Sequence, residues 1–494
     1  MLLLLFLGGL YTYHSLPSEL VPAEDYGTVI SEVSMPPNSS PTYINNTLKK
    51  IEKIYSNFPT TQNYFAFTSH TDGSIQALLI LKPRRERSMS SVAIARKLST
   101  KESTILSANA DPFNFSILND SANNKPVQFA ILSDASYMAL HKIVEKFTKE
   151  MKQLPAVNNI DSSLDFSNMQ YDIRIKRVLA EQLGVSPNLI AQTVSTLFGG
   201  YQLENKYNAN GQLYPIILKL PSQYRHDLSY LNILGVHNKT GELVPLSRFL
   251  SPKLLPQSSD LTHYDRSRSA TVSASLAPGY TLGQAINQIN NMIAHDLPSS
   301  TSFVWLGQSK RFLISNNNLT FIFLFALLLI YLLLVLQFKS FLEPFIILLT
   351  VPLSFVGAVF LLKLSGGTLN IYSKIGLLTL IGLITKHGIL IVDFANKLRR
   401  ENDDLPIQQV IVQAALLRFR PIIMTTMAMV FGALPLIFST GSGANARNDI
   451  GWTIVGGMIF GTFLSLFFIP IMYLLISKLI QSRKNRKKRE VSAT

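Results

Sequence analysis

Lys386 is the residue of this chain whose position asks for chemistry. It lies midway along TLNIYSKIGLLTLIGLITKHGILIVDFAN, residues 368–396. An apolar run of about 26 residues rises about 39 Å as a helix, enough to cross a tilted bilayer. A lysine near the bilayer centre costs roughly 2.5–3.5 kcal/mol on insertion scales, so it calls for an acidic partner. Its neighbours at i±3 and i±4 are Leu383, Gly382, Ile389 and Leu390, all apolar. Asp393 shares the face but lies about 10.5 Å along the axis, beyond a direct pair. The apolar runs 319–338, 345–362, 421–438 and 450–476 hold no Asp or Glu, and Glu343 and Asp449 stand at span edges. The expectation is a counter-charge from a segment outside this chain. Thr385 and His387 flank the lysine, which suits an ion path better than a snorkelling side chain. His387 alone reads equally well as a packed polar residue.

The elements that position Lys386 follow from the distribution of apolar residues. The chain has 494 residues, 47% hydrophobic, and its long apolar runs are confined to the far C-terminal part. That predicts roughly 300 residues of mixed α/β structure followed by a membrane portion. The formal charge of +15 does not indicate nucleic acid, because much of the basic excess in the membrane part sits beside the spans. There is no cysteine, so no disulfide or thiolate metal site exists; this fits an oxidising compartment. No Gly-rich phosphate loop, Walker pattern or His/Asp/Glu cluster at metal-ligand spacing points to an enzyme.

Residues 1–13, MLLLLFLGGLYTY, have no basic residue before the apolar core and no clear cleavage site. They read as the outer end of a transmembrane helix more readily than as a signal peptide. Residues 26–133 alternate strand and helix patterns as β-α-β-β-α-β, with a turn at Asp72-Gly73 and PVQFAILS as the closing strand. That order is ferredoxin-like. A second unit of the same kind is read from SYMALHKIVEKFTKEMKQL, SNMQYDIRIKR and VLAEQLGVSPNLIAQTVSTLFGG. A polar insert, 201–266, interrupts it, and it resumes over 267–307. Two such units suggest duplication, and an insert of that size suggests docking rather than a plain loop.

Five spans are expected, at about 319–338, 345–362, 371–396, 419–438 and 450–477. Lys397, Arg399, Arg400, Arg418 and Arg420 crowd one connector, and Lys478 with Arg483 to Arg489 crowds the tail; the opposite loops carry only Lys363, Lys374 and Arg447. By the positive-inside rule the two basic clusters are cytoplasmic and the α/β portion lies outside. Gly456, Gly457 and Gly461 suit close helix contact.

The run around Lys386, followed by RFRPIIMTTMAMVFGALPL and IGWTIVGGMIFGT, resembles the resistance-nodulation-cell division (RND) efflux transporters of the hydrophobe/amphiphile type. The motifs match in order and spacing over about 150 residues, and PSELVPAEDYG, LGVSPNLIAQTV and the LFGG turn extend the match. The resemblance covers the second half of such a transporter, inner-membrane permeases of two similar halves. It implies an α+β periplasmic porter of two ferredoxin-like subdomains plus a docking insert, followed by an α-helical membrane bundle. The expected boundaries are a truncated first span at 1–14, a first porter subdomain at 15–133, and a second at 134–200 with 267–308. A docking or funnel insert at 201–266, five membrane helices at 309–480 and a basic cytoplasmic tail at 481–494 complete the list.

The resemblance also implies site residues. Lys386 takes the place of the lysine that pairs with two membrane aspartates in a proton relay, Thr425 that of a relay threonine, and Arg418 that of a basic residue at the cytoplasmic end. The aspartates belong to the first half. Phe65 and Phe67 stand where the family places drug-pocket aromatics, and Phe129 on the strand lining the entrance. Core packing explains Phe67 and Phe129 equally well, and the loop after Phe67 is short here. The implied function is half of a proton-motive-force-driven pump that exports drugs or other amphiphiles across a Gram-negative inner membrane. Implied partners are the N-terminal half, a periplasmic adaptor protein, an outer-membrane channel, membrane lipid and two further copies in a trimer. The coupling ion is H⁺ and no cofactor is implied. The alternative is a non-transporting membrane fragment of a split or truncated transporter gene.

Overall fold

The computed structural model describes residues 2–36, 39–69, 74–105, 108–115, 125–166, 169–225, 228–258, 260–298, 300–401 and 406–491. The chain forms two compact units, one of residues 1–164 with 261–494 and one of residues 165–260.

In the first unit, α1 (Leu2–Ser15) precedes β1 (Thr28–Ser34), α2 (Pro41–Ser56), β2 (Thr61–Thr68), β3 (Ile75–Leu81), α3 (Ser91–Glu102) and β4 (Asn109–Asn114). The four strands form an antiparallel sheet in the order β2-β3-β1-β4. Ser40 starts α2 by accepting a bond from Tyr43 N at 3.2 Å, with Pro41 at the first helical position, and Ser90 starts α3 by accepting from Ala93 N at 3.3 Å. Ile51 and Tyr55 of α2 and Ile94 and Leu98 of α3 bury against Val29, Val33, Ile75 and Leu79.

A second sheet is built from β5 (Val127–Ser133), α4 (Tyr137–Met151), β6 (Val157–Ser162), β13 (Thr262–Tyr264), β14 (Ser267–Leu276), α9 (Leu282–Asp296) and β15 (Thr301–Trp305). β14 pairs with β5, β5 with β15, and β6 lies on the other side of β14. Leaving the short β13 aside, each sheet runs second–third–first–fourth strand.

Two strand assignments differ from the sequence expectation. PVQFAILS does not close the first sheet: it is β5, buried along its whole length in the second. The closing strand is β4, NADPFN, a polar segment with Pro112 that sits at a sheet edge, where proline costs no ladder bond. SNMQYDIRIKR likewise belongs to the 165–260 unit rather than the second sheet, whose second strand is the polar β6, VNNIDS. An apolar run marks a strand but not its partner; pairing is a tertiary choice. The turn expected at Asp72-Gly73 falls outside the described residues.

The 165–260 unit has its own core. β7 (Met169–Ile175) pairs with β12 (Leu250–Pro256) as an antiparallel ribbon. The ribbon joins α5 (Arg177–Gln182), α6 (Pro187–Val194), α7 (Ser222–Arg225), α8 (Leu246–Phe249) and the short pair β10 (Gly235–His237) and β11 (Leu243–Pro245). Ala180, Val185, Ile190, Leu231 and Phe249 are buried together. β8 (Tyr201–Ala209) and β9 (Gln212–Leu218) form an exposed hairpin. Its turn, Asn210-Gly211, has φ of 51° and 80°, as a two-residue hairpin turn demands.

The membrane bundle comprises α10 (Gly307–Phe338), α11 (Leu342–Leu348), α12 (Thr350–Leu364), α13 (Ile371–Glu401), α14 (Ile407–Ile437) and α15 (Ala444–Val491). Among the described residues, five helical stretches are long and apolar enough to cross a membrane: 307–338, 342–364, 371–401, 407–437 and 444–477. α15 packs against α12, α13 and α14. Glycine makes that approach close: a Cβ on Gly456 would stand 2.7 Å from Gly357 O, and one on Gly461 2.6 Å from Ser354 Cβ.

Candidate functional site

The site forms where α13, α14 and α15 meet. His387, fully buried on α13, lies 3.2 Å through Nε2 from Thr426 Oγ1 on α14. Thr426 Oγ1 is 3.1 Å from Thr462 Oγ1 on α15, which lies 3.5 Å from His387 Nδ1. Ser465 Oγ donates to Thr462 O at 3.0 Å. Three helices therefore share one polar cluster inside an apolar bundle. Buried polar groups survive there only by satisfying each other, and so they set the register of the helices.

Lys386 and Thr425 each stand one residue before a member of that cluster. Because α13 and α14 are joined by a short connection and run antiparallel, the His387–Thr426 contact brings Lys386 and Thr425 to the same level. Lys386 is exposed and makes no ion pair or hydrogen bond with any described residue. The acids searched for in the sequence do not reach it: Asp393 is exposed, and Glu343 Oε2 accepts from Asn396 Nδ2 at 3.0 Å. Thr425 is half-buried, its Oγ1 donating to Ile422 O at 3.0 Å in its own helix.

Arg418 is placed further along α14. Its guanidinium lies 4.5 Å from the centre of the Phe394 ring on α13, and its Nε is buried without a partner. Stacking on an aromatic face holds a guanidinium while leaving donors free. Arg418 and Thr425 are seven residues apart, about 10.5 Å along the helix. Of the three residues named for a relay, Arg418 reaches α13 through Phe394, Thr425 is bonded within α14, and Lys386 is exposed.

The aromatics separate. Phe65 and Phe67 share a face of the edge strand β2, 60% and 40% exposed, with ring centres 5.5 Å apart. The residue between them, Ala66, packs on the sheet core. Phe129 is not with them. It is fully buried in the second sheet, stacked on Phe303 at 4.7 Å and edge-on to Phe147 and Trp305.

Sequence reasoning reached His387 but not Thr426, Thr462 or Ser465. Small hydroxyl residues are common in spans, where they bond their own helix. Only a second polar residue at matching depth on a neighbouring helix would have marked them.

A sequence profile of the AcrB/AcrD/AcrF family matches residues 1–477. An uncharacterized transporter of Haemophilus influenzae is 30% identical over 470 residues, covering 94% of this chain and 45% of that protein. Multidrug resistance protein MdtC of Pectobacterium carotovorum is 30% identical over 499 residues, covering 99% and 48%. MdtC of Salmonella dublin is 29% identical over 498 residues, covering 97% and 47%. The chain spans about half the length of the curated relatives it matches.

Proposed function

From the premise that this chain belongs to the AcrB/AcrD/AcrF family of membrane transporters, we propose that it works as one half of a proton-driven RND exporter of drugs or other amphiphiles. The observation that carries this reading is Lys386: a lysine midway along a membrane helix, at the bundle surface, with no acid among the described residues paired to it. Such a charge is tolerable in a membrane only when another segment supplies the opposite one. The acids come from the N-terminal half. Protonation of those acids releases Lys386, and the change of charge shifts the packing of α13 and α14. Thr425 relays within the seam and Arg418 holds its cytoplasmic end.

The remaining assignments rest on the same reading. The two sheets of equal strand order act as ferredoxin-like porter subdomains on the periplasmic side of a Gram-negative inner membrane. The 165–260 unit docks towards an outer-membrane channel, with a periplasmic adaptor and two further copies completing the complex. Phe65 and Phe67 offer substrate an exposed aromatic pair, as a pocket for amphiphiles requires. Phe129 supports the second sheet instead.

The test is efflux of a fluorescent amphiphile from cells lacking other pumps, with this chain co-expressed with a first half. The parent pair should clear the dye, and Lys386→Ala should abolish clearance while leaving the amount of membrane-inserted protein unchanged. Full efflux by Lys386→Ala would end the relay reading. No efflux by the parent pair would favour the non-transporting fragment.

A further inference from the structure

Residues 16–25 form a strap in the connection between α1 and β1, the passage from bundle to first sheet. It lies along the α12–α13 loop. Leu369 N donates to Pro17 O at 2.9 Å, Glu19 N to Leu369 O at 3.2 Å, and Ile371 N to Leu20 O at 3.2 Å. Thr368 Oγ1 donates to Glu19 Oε1. The strap ends in two consecutive acids that grip different parts of the protein.

Glu24 grips the membrane helix. Its side chain is buried, with Oε1 accepting from Ala446 N at 2.6 Å and Oε2 from Asn445 N at 3.2 Å. Those N–H groups belong to the first turn of α15, whose early donors have no partner within the helix. The carboxylate satisfies two of them and meets the positive end of the helix dipole. Asn445 Nδ2 adds a bond to Ala23 O at 2.6 Å.

Asp25 grips the sheet. Both its oxygens take Arg87, whose side chain is 1% exposed, and Oδ2 also accepts from Ser91 N at 3.1 Å, the first residue of α3. A bidentate Arg–carboxylate pair fixes direction as well as distance. The carbonyl of Glu24 accepts from Asn114 Nδ2 of β4 at 2.6 Å. Two consecutive residues therefore join the head of α15 to the start of α3 and the end of β4.

α15 also reaches the polar cluster. Thr462 lies sixteen residues beyond Ala446, about 24 Å along a continuous helix. A helix is stiff along its axis, so a displacement at the cluster arrives at Ala446 little diminished. We propose that Glu24 and Asp25 are positioning residues that transmit the movement of α15 to the first sheet during export. This rests on the exporter reading above.

The tie itself is measured without transport. The chain has no native cysteine, so spin labels at Ser442→Cys and Glu86→Cys in the purified full chain report the distance between the α15 loop and the sheet. Glu24→Ala should broaden that distance distribution, and Asp25→Ala should do the same. The double variant should be no broader than either single one, because the two acids act in series. Glu24→Gln keeps an acceptor oxygen and should stay close to the parent. An unbroadened Glu24→Ala distribution overturns the tie.

Transmission is measured in vesicles holding both halves. Glu24→Ala should lower export about tenfold or more, the equivalent of one lost charge-assisted contact, while proton influx persists. Glu24→Gln should recover most of the export. Equal loss of influx and export in Glu24→Ala overturns transmission. Lack of export by the parent pair overturns the exporter reading and the transmission with it, whereas the distances judge the tie on their own.

Discussion

His387 and Thr426 meet at 3.2 Å inside the bundle, one residue beyond Lys386 and Thr425 respectively. A single buried contact thus sets the level at which Lys386 and Thr425 stand. It gives a stability prediction independent of transport. Thr426→Val removes a partner of both His387 and Thr462 and should cost about 1–2 kcal/mol. Thr462→Val should add little on top of it, since the two hydroxyls share one cluster. Thermal unfolding in detergent checks this; fully additive losses would mean that the cluster is not shared.

The glycines of α15 predict an order of sensitivity. A Cβ on Gly456 meets backbone, Gly357 O at 2.7 Å, whereas the atoms nearest one on Gly457 all belong to the Leu380 side chain, Cδ2 nearest at 2.0 Å. A leucine can change rotamer; a carbonyl of a packed helix cannot. Gly456→Ala should therefore cost about 1–3 kcal/mol, and Gly457→Ala distinctly less. The same unfolding assay ranks them, and the reverse order would show that α12 moves more easily than Leu380 turns.

Glu102 makes the first sheet sensitive to pH. It is buried at the end of α3, with Oε1 accepting from Ser31 Oγ at 2.9 Å, Tyr55 Oη donating to Ser31 Oγ at 2.6 Å, and Oε2 without a partner. Burial pushes its carboxyl up from 4.5 to about 7, against the lowering effect of the Ser31 and Tyr55 hydroxyls. A raised acid favours the folded state while protonated. The stability it contributes is complete below its unfolded value of 4.5 and is lost as pH rises through about 7. The loss is on the order of 3 kcal/mol. Amide exchange in β1 and α3, corrected for intrinsic rates, should quicken from pH 5 to 8 in the parent and much less in Glu102→Gln. An equal slope in both would assign the effect elsewhere.

Phe65 and Phe129 should part company under the same substitution. Phe129→Ala empties a site filled on three sides by rings and should cost about 3–5 kcal/mol. Phe65→Ala removes an exposed ring and should leave unfolding within about 0.5 kcal/mol of the parent. If the pair with Phe67 contacts substrate, Phe65→Ala should lower efflux of aromatic dyes more than of small cations. Identical efflux profiles would remove β2 from the substrate path.

Much of this protein is written in local pattern. Hydropathy alone places the spans, because a helix that crosses a bilayer needs about 20 consecutive, mainly apolar residues. The lack of Asp and Glu in the neighbouring apolar runs is also legible, since it is a matter of counting along the sequence. Helix starts are marked by Ser40, Ser90 and Ser136, whose hydroxyls act within three residues of their own position.

What tertiary structure alone decided is partnership. β5 and β7 are strands by composition, yet their sheets were settled by which edges could pair, and the polar strands β4 and β6 carry no local sign of their role. The cluster of His387, Thr426 and Thr462, and the opposite grips of Glu24 and Asp25, join residues up to hundreds of positions apart. Side-chain period and spacing carry no information at that range. Only the packing of whole helices and sheets brings such groups within the three ångströms at which a hydrogen bond forms.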